Sequence, residues 1–256
     1  MINNDHDERT YTVEKCMHGN ENSTILASKD MNAETCCIKL EPKSRANQIF
    51  NEMRILPKLA ECTGVPKLLH FGQTIYGEEC FSIVTNVVGK QSLKDILKKR
   101  GYLSNKELFD IANGAIDILQ NIHSKGFLYG DFKPEHFVFQ NGKMYLVDYG
   151  STISAEEETF PVFTPLYASL DMHSGCKVDE RSDLESLWFV ILSLSQPLPW
   201  ATKTNLLEII SSKYQSLPEN KKHEYPELSK LFLKKMNIET DSDEESGDSP
   251  GYILSS

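Results

Sequence analysis

Apolar residues in the first third of the chain, residues 10–85, fall mostly in short runs with the length of β-strands. Residues 34–40 are rich enough in Thr, Cys and Ile to form a buried strand. One stretch, residues 44–59, has helical spacing instead, and Glu52 projects from it beside the apolar positions. These apolar positions are Ile49, Met53 and Leu56. The pattern predicts a small β-rich unit with one helix packed on its sheet.

Beyond residue 89 the apolar pattern becomes that of long helices. Ser104 with Glu107 three residues later is a capping-box signature, and an apolar stripe follows it. The stripe consists of Leu108, Ile111, Ala115, Ile118, Leu119 and Ile122. Ser182 and Glu185 repeat the capping signal before a second apolar stripe. We therefore predict two buried helices, the second starting at Ser182.

Two short apolar runs, residues 137–139 and 144–147, lie between these helices and flank Asn141-Gly142. Asn-Gly is the strongest short-range signal for a two-residue hairpin turn. The whole pattern predicts an α+β protein of two lobes. A small β-rich N-lobe would span residues 10–88, and a mostly helical C-lobe would span residues 89–238.

The two ends of the chain have a different composition. Residues 1–9 are predicted to be a flexible N-terminus, and residues 239–256 an acidic disordered tail, because Asp, Glu, Ser and Gly there cannot bury apolar surface. Ser242 and Ser246 stand beside acidic residues. The tail is therefore either a substrate of an acid-directed kinase or a purely solubilising segment.

Charge and cysteine content narrow the possible functions. The net charge of −10 disfavours direct binding to nucleic acid or to anionic membranes. The 6 cysteines lack CxxC spacing and are too sparse for a disulfide scaffold. The first residues lack a basic and an apolar region, so no secretory signal is predicted. We expect a cytoplasmic or nuclear protein without a membrane span.

The residues with the strongest chemical signal are LYGDFKPEH at 128–136 and DYG at 148–150. Asp131 can accept a hydroxyl proton, Lys133 can neutralise phosphate charge, and Asp148 can hold a hard cation. Moving a γ-phosphoryl group requires these three roles. The pattern therefore points to phosphoryl transfer.

Further motifs accompany this set over about residues 10–200. They are TPLYASL at 164–170, RSDLESL at 181–187 and LPW at 198–200, with Gly130 before Asp131, VDYG at 147–150 and SLDMHSG at 169–175. In combination they resemble the casein kinase one superfamily, and within it the vaccinia-related kinases. The resemblance implies a bilobal protein-kinase fold that binds ATP with Mg²⁺ or Mn²⁺ and acts on a protein substrate.

The resemblance also implies roles for single residues. Lys39 would grip the α- and β-phosphates with Glu52 as its helix partner. Asp131 would be the catalytic base, Lys133 would steady the γ-phosphate and Asp148 would bind the metal ion. The remaining implied ATP-binding residues are Gly19, Asn86 and Val88. Thr164 would bridge the catalytic groups and favour serine or threonine substrates, and Asp183 would anchor the catalytic loop.

Two departures from the family pattern affect nucleotide and metal binding. The glycine-rich loop is reduced to MHGNEN at 17–22, where only Gly19 remains and Glu21 adds negative charge near the phosphates. His136 stands where kinases have an asparagine that holds the second metal ion. Mg²⁺ prefers oxygen ligands, whereas imidazole suits softer first-row metals. His136 is therefore either a replacement metal ligand or a hydrogen-bonding loop residue.

These observations leave two functions. One is an ATP-dependent serine/threonine protein kinase, weakened by the reduced glycine loop and by His136. The alternative is a pseudokinase that acts as a binding scaffold or as an allosteric partner of another kinase. The presence of both catalytic carboxylates, Asp131 and Asp148, favours the active enzyme.

Overall fold

The computed structural model describes residues 2–4, 7–89, 91–157 and 160–238. Its N-terminal part is built on a 6-stranded sheet in the order β1-β2-β3-β4-β6-β5, with antiparallel pairing throughout. The strands are β1 Ile2–Asn4, β2 Asp7–Gly19, β3 Thr24–Lys29, β4 Thr35–Pro42, β5 Leu68–Tyr76 and β6 Glu78–Thr85. The predicted strand at residues 34–40 corresponds to β4.

The helix of this part is shorter than the predicted stretch, residues 44–59. Helix α1 spans Gln48–Ile55 and a 3₁₀ turn follows at Leu56–Leu59. The change of geometry occurs at Pro57, which has no N–H group and whose ring clashes with the carbonyl four residues earlier in an α-helix. Glu52 is buried on the inner face of α1.

The predicted flexible segment, residues 1–9, contains paired backbone in the structure. Strand β1 pairs with β2, with Ile2 opposite Tyr11 and Asn3 opposite Thr10. The prediction of a flexible N-terminus rested on the polar composition of residues 1–9 and stays a prediction, whereas the pairing of β1 with β2 uses backbone groups alone. The predicted acidic tail, residues 239–256, lies outside the described residues.

The C-terminal part is mostly helical. Its helices are α2 Leu93–Arg100, α3 Asn105–His123, α4 Leu170–Ser174, α5 Glu180–Ser193, α6 Leu206–Tyr214 and α7 Pro226–Lys235. Its short strands are β7 Gln91–Ser92, β8 Phe127–Leu128, β9 Phe137–Gln140, β10 Lys143–Leu146 and β11 Ile153–Ser154. There are also 3₁₀ turns at Pro134–His136 and Pro218–Lys221. A β-rich part followed by a helical part confirms the α+β prediction.

The caps of the two buried helices show how far local signals extend. Ser104 and Glu107 form the predicted capping box at the start of α3. Helix α5 instead begins after Asp179, whose carboxylate accepts the backbone N–H of Ser182. The predicted cap, Ser182, was therefore wrong by three residues, because Ser182 is the capping-box partner of the true cap, Asp179. The Glu185 carboxylate turns away to accept the N–H of Leu170.

The apolar core is continuous from α1 to α7 and is centred on α5. Edge-to-face aromatic contacts join α5 to its surroundings, Trp188 to Phe232 and Phe189 to Trp200, both at 5.1 Å between ring centroids. Such pairs add specific geometry to the burial of large side chains. Within the described residues, the helices are all too short or too polar to cross a membrane.

The predicted hairpin is β9–β10, and its turn residues Asn141 and Gly142 have φ angles of 52° and 73°. Positive φ at both central residues is the type I′ requirement, which Asn and Gly meet at low cost. The hairpin begins just after His136 and ends just before Asp148. It therefore fixes two candidate site residues relative to each other.

Candidate active site

The candidate residues come from four elements that meet in one cleft. Strand β4 carries Lys39 and α1 carries Glu52. The loop after β8 carries Asp131, and the loop after β10 carries Asp148. Side-chain contacts link these elements, so the structure brings the predicted ammonium and carboxylates together.

Lys39 is the centre of a buried ionic cluster. Its Nζ lies 2.8 Å from Glu52 Oε2, 2.9 Å from Asp148 Oδ1 and 3.7 Å from Glu41 Oε1. Burial disfavours the charged form of Lys39, but the Glu52 and Asp148 carboxylates outweigh it and raise its pKa above the ordinary value. Lys39 therefore stays protonated.

Asp148 has a backbone conformation that few residues adopt. Its φ is 67°, in the left-handed region, where Asp is more frequent than most residues. Burial opposes its charge, but Lys39 and His136 lower the pKa of Asp148 below its ordinary value. The Glu52 carboxylate also accepts the N–H of Tyr149 at 3.4 Å. The sheet, α1 and the Asp148 loop are thus tied to one another.

Asp131 accepts hydrogen bonds on both carboxylate oxygens. The Thr164 hydroxyl donates to Oδ1 at 2.6 Å, and Lys133 Nζ donates to Oδ2 at 3.0 Å. The sequence separates Thr164 from Asp131 by 33 residues. The three groups form a compact set of carboxylate, hydroxyl and cation.

The loop that carries Asp131 is held by Asp183 of α5. The two oxygens of the Asp183 carboxylate accept the N–H of Tyr129 at 2.7 Å and that of Gly130 at 3.0 Å. His123 Nε2 lies 2.9 Å from the same carboxylate. The anchoring contact that the resemblance implies is therefore present, and Asp183 is more than a first-turn helix residue.

Gly130 is required by this loop. Its φ is 86°, and a Cβ at this position would lie 2.6 Å from Pro161 Cβ and 3.1 Å from the carbonyl oxygen of Ser151. A side chain would collide with the Pro161 ring, crowd the Ser151 carbonyl oxygen and also force an L-residue into the left-handed region. Glycine before Asp131 thus has a steric cause.

His136 is buried and connects Asp131 with Asp148. Its Nδ1 lies 2.7 Å from the Tyr129 hydroxyl and 3.0 Å from the backbone oxygen of Asp131. The Tyr129 hydroxyl donates its own proton to the Val147 carbonyl, so Nδ1 carries the proton that these two oxygens accept. Nε2 is then left with a lone pair, 3.4 Å from Asp148 Oδ2.

The protonation of His136 follows from its surroundings. Burial lowers its pKa, the Lys133 and Lys39 cations act in the same direction, and the Asp148 carboxylate opposes them. The imidazole is therefore neutral near pH 7. A neutral ring with a free Nε2 beside a carboxylate suits a first-row cation.

The glycine-rich loop region is a tight turn between β2 and β3. Asn20 Oδ1 accepts the N–H groups of Asn22 and Ser23, both at 2.8 Å. A Cβ at Gly19 would lie 3.7 Å from Thr24 Oγ1, an ordinary van der Waals distance. Gly19 is therefore not needed for the conformation of this turn, which an Asn side chain closes instead.

The two remaining predicted residues, Asn86 and Val88, lie just after β6 and are both contacted by Gln140. Val88 N–H donates to Gln140 Oε1 at 2.8 Å, and Gln140 Nε2 donates to the Asn86 carbonyl at 3.0 Å. Gln140 was not predicted from the sequence, because no local pattern relates it to a segment more than 50 residues away.

Comparison with known proteins agrees with this geometry. The family model of the protein kinase domain matches residues 10–245. The chain belongs to the protein kinase domain family. It is similar to a probable casein kinase I homolog of Encephalitozoon cuniculi, with 29% identity over 188 residues, covering 67% of this chain and 58% of the relative. Casein kinase I homolog 1 of Schizosaccharomyces pombe is 32% identical over 213 residues, covering 73% and 47%.

This kinase domain thus spans about half the length of the curated relatives it matches. The casein kinase I likeness agrees with the motifs that the sequence contains. The narrower placement among vaccinia-related kinases stays a prediction, as do the lobe boundaries at residues 10–88 and 89–238.

A second residue of the kinase domain that sequence reasoning missed is Lys213. Its side chain is buried beneath residues 164–168, where Nζ donates to the carbonyl oxygens of Pro165 and Ala168. Burial lowers the pKa of Lys213 to about 7, against the influence of Glu185. Burial likewise raises the pKa of Glu185 to about 7. Lys213 fixes the loop that brings Thr164 to Asp131.

Glu185→Gln is expected to change the pH dependence of stability. The Glu185 carboxyl keeps its proton up to about pH 7 in the folded wild type, whereas its ordinary pKa of 4.5 applies in the unfolded chain. Wild-type stability therefore falls as pH rises between these values. A glutamine side chain does not titrate. The free energy of unfolding of the variant, compared with that of wild type, should therefore rise by on the order of 2 kcal/mol from about pH 5 to about pH 8. Urea unfolding at both pH values measures this, and a pH-independent difference would contradict it.

Proposed function

We propose that this kinase domain is an ATP-dependent serine/threonine protein kinase. The observation that carries the proposal is the contact of Lys39 with both Glu52 and Asp148. An ammonium held between a helix carboxylate and a loop carboxylate is the arrangement that phosphoryl transfer by kinases requires. This double contact forms only when the sheet, α1 and the loop that carries Asp148 are all correctly placed relative to one another.

The roles of the other residues follow from their contacts. Asp131 would accept the proton of the substrate hydroxyl, because its carboxylate is already oriented by Thr164 and Lys133. Lys133 would neutralise charge on the transferred phosphoryl group. The neighbouring Thr164 hydroxyl supports a serine or threonine acceptor.

Lys39 would hold the α- and β-phosphates, while the carbonyl of Asn86 and the N–H of Val88 would hold the adenine. Gly19 would cover the phosphates.

A divalent cation fits the donor set of Asp148 and His136. The lone pair of His136 Nε2 and Asp148 Oδ2 lie 3.4 Å apart, so both can ligate one ion. When bound, the ion neutralises phosphate charge and orients the triphosphate. Among the described residues, no three His, Cys, Asp or Glu side chains form a metal cluster, so phosphates and water would complete the coordination.

Transfer from labelled ATP to casein, a generic acceptor, tests the proposal. The wild type should phosphorylate casein, and Asp131→Ala should reduce the rate at least about 100-fold, since the base is lost. Asp110→Ala, an exposed carboxylate of α3, is the matched control and should retain the wild-type rate. Equal background rates for wild type and Asp131→Ala would overturn the proposal.

The metal preference provides an independent prediction. We expect Mn²⁺ to support transfer better than Mg²⁺ in the wild type, because imidazole is a poor ligand for Mg²⁺. His136→Asn should shift the ratio of the Mn²⁺ rate to the Mg²⁺ rate by about tenfold towards Mg²⁺. The measurement is the transfer rate at matched metal concentrations. Equal ratios in both proteins would show that His136 is a loop residue without a metal role.

The alternative function is a pseudokinase scaffold that binds a partner kinase. One specific observation favours it: the backbone groups of Asn86 and Val88 are occupied by Gln140. A thermal-shift titration with ATP and either metal separates the two functions, since a ligand of the native state raises its stability. No shift at millimolar ATP would favour the scaffold. Direct nucleic-acid binding is not proposed, given the net charge of −10.

A further inference from the structure

The segment after β6 presents two backbone groups that its own strand does not satisfy. Strand β6 ends at Thr85, so the Asn86 carbonyl and the Val88 N–H lie beyond its ladder. Partly buried backbone groups of this kind need partners. In the structure a single side chain, the carboxamide of Gln140, satisfies both.

The orientation of the carboxamide is set by these partners. Its oxygen accepts the Val88 N–H at 2.8 Å and also lies 3.5 Å from Gly89 N. Its Nε2 donates to the Asn86 carbonyl at 3.0 Å. Only this orientation pairs an acceptor with each donor and a donor with each acceptor.

The carboxamide has the same hydrogen-bonding pattern as one edge of adenine. Adenine has a ring-nitrogen acceptor, N1, next to an amino donor, N6, and an amide has a carbonyl acceptor next to an amino donor. A base docked on the Val88 N–H and the Asn86 carbonyl would therefore need the two groups that Gln140 now uses. The Gln140 carboxamide and an adenine base therefore cannot occupy this position at the same time.

Gln140 also lies at the wall of a cavity of about 500 Å³, a volume within the usual range for small-ligand sites. The cavity is lined by Met17 and Ala27 of the N-terminal sheet on one side and by Val88 and Gln140 on the other. The side chain is on β9, two residues after Val138, and is only partly buried. It has room to leave its two partners without disturbing the core.

We propose that the Gln140 carboxamide occupies the adenine position of this kinase domain and must be displaced before a nucleotide binds. Gln140 is thus a residue that determines nucleotide affinity. The inference rests on the proposed function, because it takes the Asn86 and Val88 backbone as the adenine site. Affinity is reduced because binding breaks two internal hydrogen bonds before two new ones form.

The test is titration of the full chain with adenosine and with ATP. Gln140→Ala should bind both roughly 10-fold more tightly than wild type, the equivalent of two net hydrogen bonds of modest strength. Gln140→Met keeps the side-chain length but cannot make the two hydrogen bonds, so it should show most of the same increase in affinity. It also controls for a folding defect in Gln140→Ala, because it fills the space of the original side chain. Gln215→Ala, an exposed glutamine in the C-terminal part, should match wild type.

Inosine provides a control for base recognition. Its ring has an N1–H donor and an O6 acceptor, the reverse of adenosine, so it should gain little from Gln140→Ala. Amide hydrogen exchange of Val88 adds a readout without nucleotide. We expect protection in the wild type and faster exchange in both Gln140 variants.

The outcomes separate the two proposals. Tighter adenosine binding by Gln140→Ala without casein phosphorylation would support the role of Gln140 and reject the kinase function. Equal adenosine affinity in wild type and Gln140→Ala, whether measurable or absent in both, would overturn the role of Gln140. The Asp131→Ala comparison decides the kinase function independently of that result.

Discussion

Replacing Lys39 by methionine is expected to lower the free energy of unfolding by about 3–5 kcal/mol and to abolish nucleotide binding. Lys39 is the cation at the centre of three carboxylates, at 2.8 Å from Glu52, 2.9 Å from Asp148 and 3.7 Å from Glu41. Methionine fills about the same volume but leaves the buried Glu41 and Glu52 and the partly buried Asp148 without this counter-ion. Removing one partner of a buried ion pair destabilises the folded state by far more than the intact pair stabilises it.

Urea unfolding of Lys39→Met beside wild type at pH 7 measures the change. Lys106→Met is the matched control, because Lys106 pairs with Asp110 on the exposed face of α3. Such surface pairs contribute at most about 1 kcal/mol. Equal stabilities for Lys39→Met and Lys106→Met would show that the cluster does not hold the sheet, α1 and the Asp148 loop together.

Asp183→Ala is expected to destabilise the protein by about 3 kcal/mol. The substitution leaves the backbone N–H groups of Tyr129 and Gly130 buried without an acceptor, and it removes the partner of His123. The loop that carries Asp131 would then lose its anchor to α5. We therefore expect a loss of stability together with a loss of any transfer activity.

The conservative variant Asp183→Asn separates anchoring from charge. Its amide keeps one acceptor oxygen, so it should lose about half as much stability as Asp183→Ala. Asp110→Ala serves as the exposed control and should change stability by less than about 0.5 kcal/mol. Chemical denaturation of the four proteins gives the comparison, and a loss in Asp183→Ala no larger than that in Asp110→Ala would refute the anchor.

Local sequence signals predicted the elements that local physics determines. The capping box of Ser104 and Glu107 and the Asn141-Gly142 turn both depend on residues within four positions of each other, and both are present. The start of α5 was misplaced because Asp179 and Ser182 are both good caps, and local composition does not rank them. The end of α1 was missed because helical spacing continues past Pro57.

The residue types of the candidate site were predicted from the motifs, whereas contacts such as that of Lys39 with Glu52 were expected only through the family resemblance. The motif around Asp131 and Asp148 pointed to phosphoryl transfer from the sequence. The placement of Lys39 between Glu52 and Asp148 needs elements as far apart as 109 residues in the chain to meet. Lys213 and Gln140 carried no recognisable motif at all, since a lysine in α6 or a glutamine at a strand end is most often a solvated side chain.

The sequence by itself determined a β-rich part followed by a helical part, the family likeness and the presence of an ammonium and two carboxylates suited to phosphoryl transfer. These properties follow from periodicity, capping and motif spacing, which act over a few residues. Only the tertiary structure decided that His136 presents Nε2 to Asp148 and that Gln140 covers the Asn86 and Val88 backbone. Such contacts depend on how distant segments pack, and the pattern within any one segment does not encode them.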